Sequence, residues 1–526
     1  MAMSTSRQDR PAGPALERWL NRIGESNLLY VLLGITLLVH AYNMFRYPLY
    51  LGDEGIYMEQ AWAVLREGAL APYTYFYDHA PAGWLLIAFW VWLLPGKFYT
   101  FGPAINSGRV LMLILHEISV VLLFKVTKRL SGSTVASFVA VIVFSLSPLS
   151  VFYQRMVLLD NIMVFWLLLA MYAILYDGNR LLSFLASGTT FGIALLTKEN
   201  AIFFAPVLVY LVYHSVHGTY RYRFAYAGWM LAVVLVVSLY PLYALLKSEF
   251  FPSGTFDFIH GTPGQHVSLI STVLWQMSRS GGSILDPNGG FWFYFWSKWW
   301  PRDGLIIILG AVAVPLNLII WRLNRARYFG YLIAAAMALA FFFYLARGSV
   351  MIEFYVVPIL PFLGMNAGMA VAFLLNHFPS WLAAPTFPLV LAALAAAFLY
   401  VGRDAFRLDQ TYLQVEQVAY IRQHIPANAF IIIDDDIWVD LHEASPGNPV
   451  FPYAESHWKV ESDPAIRDKL LHNDWQNTDY IAKSNEMQLA LEQNQSNFVL
   501  KALNNSTLMK KFQAGQIELE VRKINK

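Results

Sequence analysis

Apolar residues fall into long blocks separated by short polar connections. Eleven blocks are long enough, or nearly long enough, to cross a bilayer. They lie at about 28–46, 108–126, 134–152, 161–177, 181–197, 201–216, 225–247, 305–321, 328–346, 351–375 and 383–401. A shorter run, Ala82 to Leu94, stands between Pro81 and Pro95. Its role is settled by where the basic residues fall. If it does not span, and Arg10, Arg18 and Arg22 lie inside, then Lys125, Lys128 and Arg129, Arg180, Arg221 and Arg223, and Arg322, Arg325 and Arg327 all lie inside as well. That matches the cytoplasmic bias of Lys and Arg in short loops. Residues 81–95 are therefore expected to form a re-entrant or interfacial helix. The expectation is eleven spans, a cytoplasmic N-terminus and an extracytoplasmic C-terminus. The N-terminal stretch has no cleavable signal pattern, so the first block reads as a retained span.

The pattern changes after about residue 402. Val415, Val418, Ile421 and Ile425 recur at helical spacing, and Pro426 breaks the run. AFIIIDDD (429–436), DYIAKS (479–484) and IELEVRKI (517–524) read as strands. MQLALEQN (487–494) and NSTLMKKFQ (505–513) read as helices. Alternating strands and helices predict a small α/β domain with a partly parallel sheet. The fold class is thus mainly α: a polytopic membrane bundle over 1–401, with a C-terminal extracytoplasmic α/β domain over 402–526. Two long connections, 47–107 and 248–304, face outward in this reading. The stretch 252–302 shows no clear elements and reads as a long functional loop.

Composition sharpens the picture. The chain is 57% hydrophobic and only 14% charged, where soluble proteins carry nearer 25% charge. It is an integral membrane protein. A net charge of +2 implies no bulk attraction to nucleic acid. The absence of cysteine excludes disulfides and thiolate metal sites.

The parity of the spans gathers ionisable residues at one membrane face: Asp53, Glu54, Asp78, His79, Arg155, Asp160, Lys198, Glu199, Arg347 and Glu353. Charges beside a span are costly unless solvated, paired or used. Asp53 and Glu54 suit a general base made more basic by partial burial. They equally suit acids at the start of the helix that follows. Asp78 beside His79 suits a histidine held as a cation, or a plain interfacial pair. Arg155, Lys198 and Arg347 stand against the positive-inside bias and call for a partner, either an anionic phosphate or a salt bridge. Asp434, Asp435 and Asp436 end a strand and have oxygen ligands to offer, but acidic strand ends are common without metal, and no metal site is expected.

Taken in order, these residues resemble the GT-C type glycosyltransferases that use polyprenyl-phosphate sugars, nearest to the protein O-mannosyltransferases and the aminoarabinose transferases of lipid A. An acidic pair followed by an aromatic opens the first external loop (Asp53-Glu54-Gly-Ile-Tyr57). An aspartate, a basic residue and a proline precede an apolar stretch (Asp78-His79-Ala80-Pro81). Arg109 begins the next span. Arg155 and Leu-Leu-Asp160 follow, then Thr197-Lys198, and late in the chain Arg347, Tyr355 and Pro358. The resemblance implies an inverting transfer, by a hexosyl- or pentosyltransferase, from a polyprenyl-phosphate-linked donor to a hydroxyl or phosphate acceptor at the outer membrane face. It implies Asp53 and Glu54 as catalytic, and His79, Arg109, Arg155, Lys198 and Arg347 as phosphate-binding. Tyr57, Asp78, Asp160 and Tyr355 are implied as acceptor-binding or positioning. The acceptor is a glycan, a lipid or a protein of the cell envelope. The resemblance implies no definite cofactor and leaves a divalent cation open. The chain departs from the pattern in three places. His79 stands where many relatives carry lysine, Ile56 stands where an arginine is usual, and the tail lacks a β-trefoil signature. The alternative class is a transporter or flippase. That class favours repeated halves and midplane charges, and this sequence shows neither.

Overall fold

The computed structural model describes residues 24–70, 79–176, 180–216, 222–252, 268–348, 350–463, 465–493 and 497–526. Arg10, Arg18, Arg22, Asp78 and Arg221 lie outside the described residues.

Each of the eleven apolar blocks coincides with helix. Among the described residues, seven helical stretches are long and apolar enough to cross a membrane, and five further apolar helices have 10–17 residues. Helix Ala82–Leu93 is one of the short ones. At 1.5 Å per residue its 12 residues reach about 18 Å, short of a bilayer core of about 30 Å.

Local chemistry explains the interruptions. The block 134–152 splits into Thr134–Leu146 and Pro148–Tyr153. Pro148 has no N–H to continue the first helix, and the Ser147 hydroxyl accepts from the Ser150 N–H to start the second. Helix Thr134–Leu146 packs tightly on Leu360–Asn376. Gly364 and Gly368 make this approach possible. A Cβ at Gly368 would lie 2.2 Å from the Ala136 carbonyl oxygen, and one at Gly364 would lie 2.7 Å from that of Ala140. Small residues four apart let two helix backbones meet.

The stretch 252–302 is not without structure. It carries helix Leu269–Ser278, and from Gly290 it is helical to Leu323 apart from a kink at Asp303, where the backbone turns extended (φ −156°, ψ 74°). Aromatic residues crowd together there. Phe291, Trp292, Phe295 and Trp299 contact one another edge-on and stacked, and that packing orders a run whose Gly and Trp content suggests a loop.

The C-terminal sheet has five strands: β1 Ile431–Ile433, β2 Ala454–Ser456, β3 Tyr480–Ser484, β4 Ser506–Ala514 and β5 Ile517–Ile524. Their order is β2-β1-β3-β5-β4. β1 pairs parallel with β2 and β3, while β5 runs antiparallel to β3 and β4. The predicted helix at 505–513 is a correction: from Ser506 on, those residues belong to β4. Ala514 pairs with Ile517 across Gly515-Gln516, with Gly515 at φ +59°. A two-residue hairpin turn that accepts positive φ commits the run to a strand, and cross-strand pairs such as Phe512 with Leu519 outweigh its helical spacing. The strands show how the sheet is sandwiched. Ile431 and Ile433 join the large core that continues into the membrane helices, while Ile432 faces a second core under helices 485–493 and 497–504.

Candidate active site

Helix Gly52–Arg66 is the pivot between the membrane bundle and the sheet. Leu51 is extended, and the helix starts directly after it. The Glu54 carboxylate accepts the Leu51 N–H at 3.1 Å, closing the first turn. Gly55 lies against the backbone of the 3₁₀ turn Asp435–Ile437. A Cβ there would sit 2.0 Å from the Asp435 carbonyl oxygen. This close approach sets the acidic end of β1 beside Asp53. Further along, Glu59 pairs with Lys459, and Arg66 pairs with Glu443, which also accepts from Trp62 Nε1 at 2.8 Å.

Asp53 sits in the first turn of this helix and is half-buried. Burial pushes its carboxyl up to about 6, against the pull of the Lys198 and His79 charges. Desolvation, then the carboxylates of Asp434 and Asp53, push Glu486 up to about 8. Burial likewise raises Asp435 and Asp436, and Asp434 adds to the rise at Asp436.

Glu54 has a different environment. It is fully buried and forms a two-pronged ion pair with Arg109, at 3.0 Å from Nε and 2.7 Å from Nη2. It also accepts the Val157 N–H at 2.9 Å. Arg109 spends its remaining donors on the carbonyls of Met44, Pro48 and Leu49. Arg155 is buried too and donates to the carbonyls of Tyr47, Ala405, Val39 and Tyr42. Burial lowers it to about 9. These three side chains tie together the backbone around residues 39–51, residue 157 and Ala405.

The other three cations surround a cavity of about 700 Å³. Lys198 Nζ lies 2.5 Å from Asp160 Oδ2 and 4.8 Å from the ring centroids of both Phe354 and Tyr355. His79 Nδ1 lies 3.2 Å from Glu199, whose other oxygen accepts the Ala80 N–H at 2.7 Å. The Tyr240 hydroxyl donates to the His79 carbonyl at 2.9 Å. Arg347 stacks over Tyr344 at 3.8 Å and donates to its carbonyl at 2.8 Å. The rest of the lining is largely apolar, including Leu196, Phe203, Val237 and Val273. Tyr57 is buried, with its ring 6.4 Å from that of His79. Asp78 falls outside the described residues.

The fold thus brings Asp53, His79, Asp160, Lys198, Arg347 and Tyr355 to one region, and it holds Glu54, Arg109 and Arg155 apart in their own closed set. Sequence reasoning did not single out Glu199 as the partner of His79, nor the placement of Asp435 and Glu486 near Asp53. The acidic strand end was visible, but nothing in the linear chain said which helix it would meet. Among the described residues, no three His, Asp or Glu side chains converge to hold a metal ion.

Comparison with known proteins agrees with this architecture. Residues 82–240 match the family model for dolichyl-phosphate-mannose-protein mannosyltransferase. No curated protein sequence matches the chain. ArnT from Cupriavidus metallidurans bound to undecaprenyl phosphate superposes with a TM-score of 0.57 at 16% identity, covering 97% of this chain and 98% of that one. The archaeal oligosaccharyltransferase AglB from Archaeoglobus fulgidus, in complex with an inhibitory peptide and a dolichol-phosphate, gives 0.58 at 10% identity, covering 93% and 73%. At these identities the likeness is one of fold. In its fold, and over residues 82–240 in its sequence, the chain resembles the GT-C type glycosyltransferases that depend on polyprenyl phosphates.

Proposed function

We propose that the protein transfers a sugar from a polyprenyl-phosphate donor to a hydroxyl acceptor, with inversion, at the outer membrane face. The observation that carries this is the pairing of a half-buried carboxylate with a cation-lined, largely apolar cavity. Asp53 feels the charges of Lys198 and His79, and those two residues line the cavity together with Arg347. The apolar lining suits a polyprenyl tail. In the reaction the acceptor oxygen bonds to the anomeric carbon, its proton passes to Asp53, and the bond from that carbon to the phosphate oxygen breaks. The polyprenyl monophosphate leaves with its electrons, and Lys198, His79 and Arg347 offset the charge that develops there. Asp160 holds Lys198 in place, and the rings of Phe354 and Tyr355 flank its ammonium group. Glu54, Arg109 and Arg155 act on the framework in this reading rather than on the donor. In this reading the domain 402–526 stands at the same membrane face, and the contact between its Asp435 turn and the helix that carries Asp53 supports that.

Asp53→Asn tests the proposal. The expected loss of transfer from a polyprenyl-phosphate sugar is on the order of 10²–10⁴-fold, with folding intact. Full activity in that variant would remove Asp53 as the base.

A further inference from the structure

The cavity wall carries two buried polar side chains that the transfer chemistry leaves unused. Asn200 belongs to the 3₁₀ turn Glu199–Phe204, and Thr272 belongs to helix Leu269–Ser278. Both line the cavity, and they are only 7% and 5% exposed. Asn200 Nδ2, Asn200 Oδ1 and Thr272 Oγ1 have no hydrogen-bond partner among the described residues.

The neighbours of Asn200 are all engaged. The Thr197 hydroxyl donates to the Ile193 carbonyl, Lys198 pairs with Asp160, and Glu199 holds His79 and the Ala80 N–H. Asn200 alone in this strip keeps both ends of its amide unpaired. Nearby lining residues such as Leu195, Ile202 and Val273 have nothing polar to offer its side chain. Buried polar groups are nearly always satisfied, and an orphan costs free energy. The three atoms expose almost no surface as they stand, yet both residues form the wall of one cavity, so two orphans from two elements point to a partner that an occupant supplies once these side chains turn toward it.

The chemistry of the amide narrows the partner. Nδ2 donates and Oδ1 accepts. An ionised lipid phosphate offers acceptors only, so it would leave Oδ1 unpaired. A sugar hydroxyl both donates and accepts. We infer that Asn200, assisted by Thr272, hydrogen-bonds a hydroxyl of the donor sugar, so the cavity holds the sugar-loaded lipid more tightly than the spent lipid phosphate. This rests on the donor reading given above and adds a specificity determinant to it. Once the sugar has moved to the acceptor, the contact is lost and release of the spent lipid is favoured.

The experiment uses the full chain in lipid nanodiscs. It compares binding of decaprenyl-phosphate hexoses and pentoses with binding of decaprenyl phosphate alone. Asn200→Leu keeps the volume and removes both polar atoms. The expected result is a fall of roughly 3–10-fold in affinity for the preferred sugar conjugate, the loss one hydrogen bond carries, with the bare phosphate changed by less than about twofold. The melting temperature of the unliganded variant should rise, because the orphan amide is gone. Thr272→Val should show a smaller loss in the same direction, and it serves if the first variant misfolds. Equal losses for both ligands, or no loss for either, would overturn the inference while leaving the donor reading intact. Wild type that binds neither ligand would overturn the donor reading, and this inference with it.

Discussion

Two groups of charged side chains lie close together in this protein and behave differently. Glu54, Arg109 and Arg155 form a closed set in which each guanidinium is enclosed by carbonyls or a carboxylate. His79 meets Glu199, Lys198 pairs with Asp160 and faces two aromatic rings, Arg347 stacks on Tyr344, and all three border a cavity. In the linear sequence all six are ionisable residues near the ends of apolar blocks. Arg109 has every guanidinium donor engaged and Arg155 all but Nε, whereas the cavity-lining cations keep a face toward the open space.

Removing a member of the closed set should have the largest effect on stability. Arg109→Met leaves Glu54 buried without its counter-charge, and stability should fall by about 3–5 kcal/mol, read as a large drop in unfolding temperature in detergent. If this variant keeps its stability and loses only lipid binding, the distinction between the two groups collapses. Lys198 belongs partly to each group, since it borders the cavity and pairs with the fully buried Asp160. Lys198→Gln should therefore lower both stability and affinity for polyprenyl phosphate, and losing just one of the two would assign it to one group. Arg347→Gln should weaken polyprenyl-phosphate binding by about 10–100-fold, as expected for one charge-assisted contact of about 1.5–3 kcal/mol. Its thermal stability should stay near wild type.

The smallest effect is a pH dependence. Burial places the Asp53 carboxyl at about 6 in the folded protein, above its ordinary 3.8. A base must be unprotonated to act, so kcat/KM should rise with pH through about 6 and level off above it. The sign for stability is the reverse. A raised carboxyl disfavours the folded state above its folded pKa, and that penalty is relieved as pH falls from about 6 toward 4. A pH profile that is flat between 5 and 7 would remove Asp53 from the rate-determining protonation step.

Much of the architecture was legible in the chain. Every long apolar block became helix, because a bilayer-length run of apolar side chains has few other ways to satisfy its backbone. Helix 412–424 and strands β1, β3 and β5 followed from spacing and turn residues. β4 was misread because Leu508, Lys511 and Phe512 fit helical spacing as well as strand pairing, and only the Gly515 hairpin and the partner strand decide between them. β2 has three residues and no local signal, and it forms because β1 offers it an edge.

For the site, the linear chain set which residue types were available: carboxylates and cations at the ends of apolar blocks, in an order that resembles a known family's. Their partners follow from the folded backbone alone. Spacing along a chain cannot say how many backbone carbonyls will surround a guanidinium. Arg109 meets the carbonyls of 44, 48 and 49, and Arg155 meets those of 39, 42, 47 and 405, because the folded backbone converges on them. Likewise Asp435 comes to lie over Asp53 only because Gly55 lets two backbones touch. A hydrogen bond is short-ranged and directional, so its partner is set by position in space. Hydrophobic burial is summed along each segment, so its pattern can be read before the chain folds.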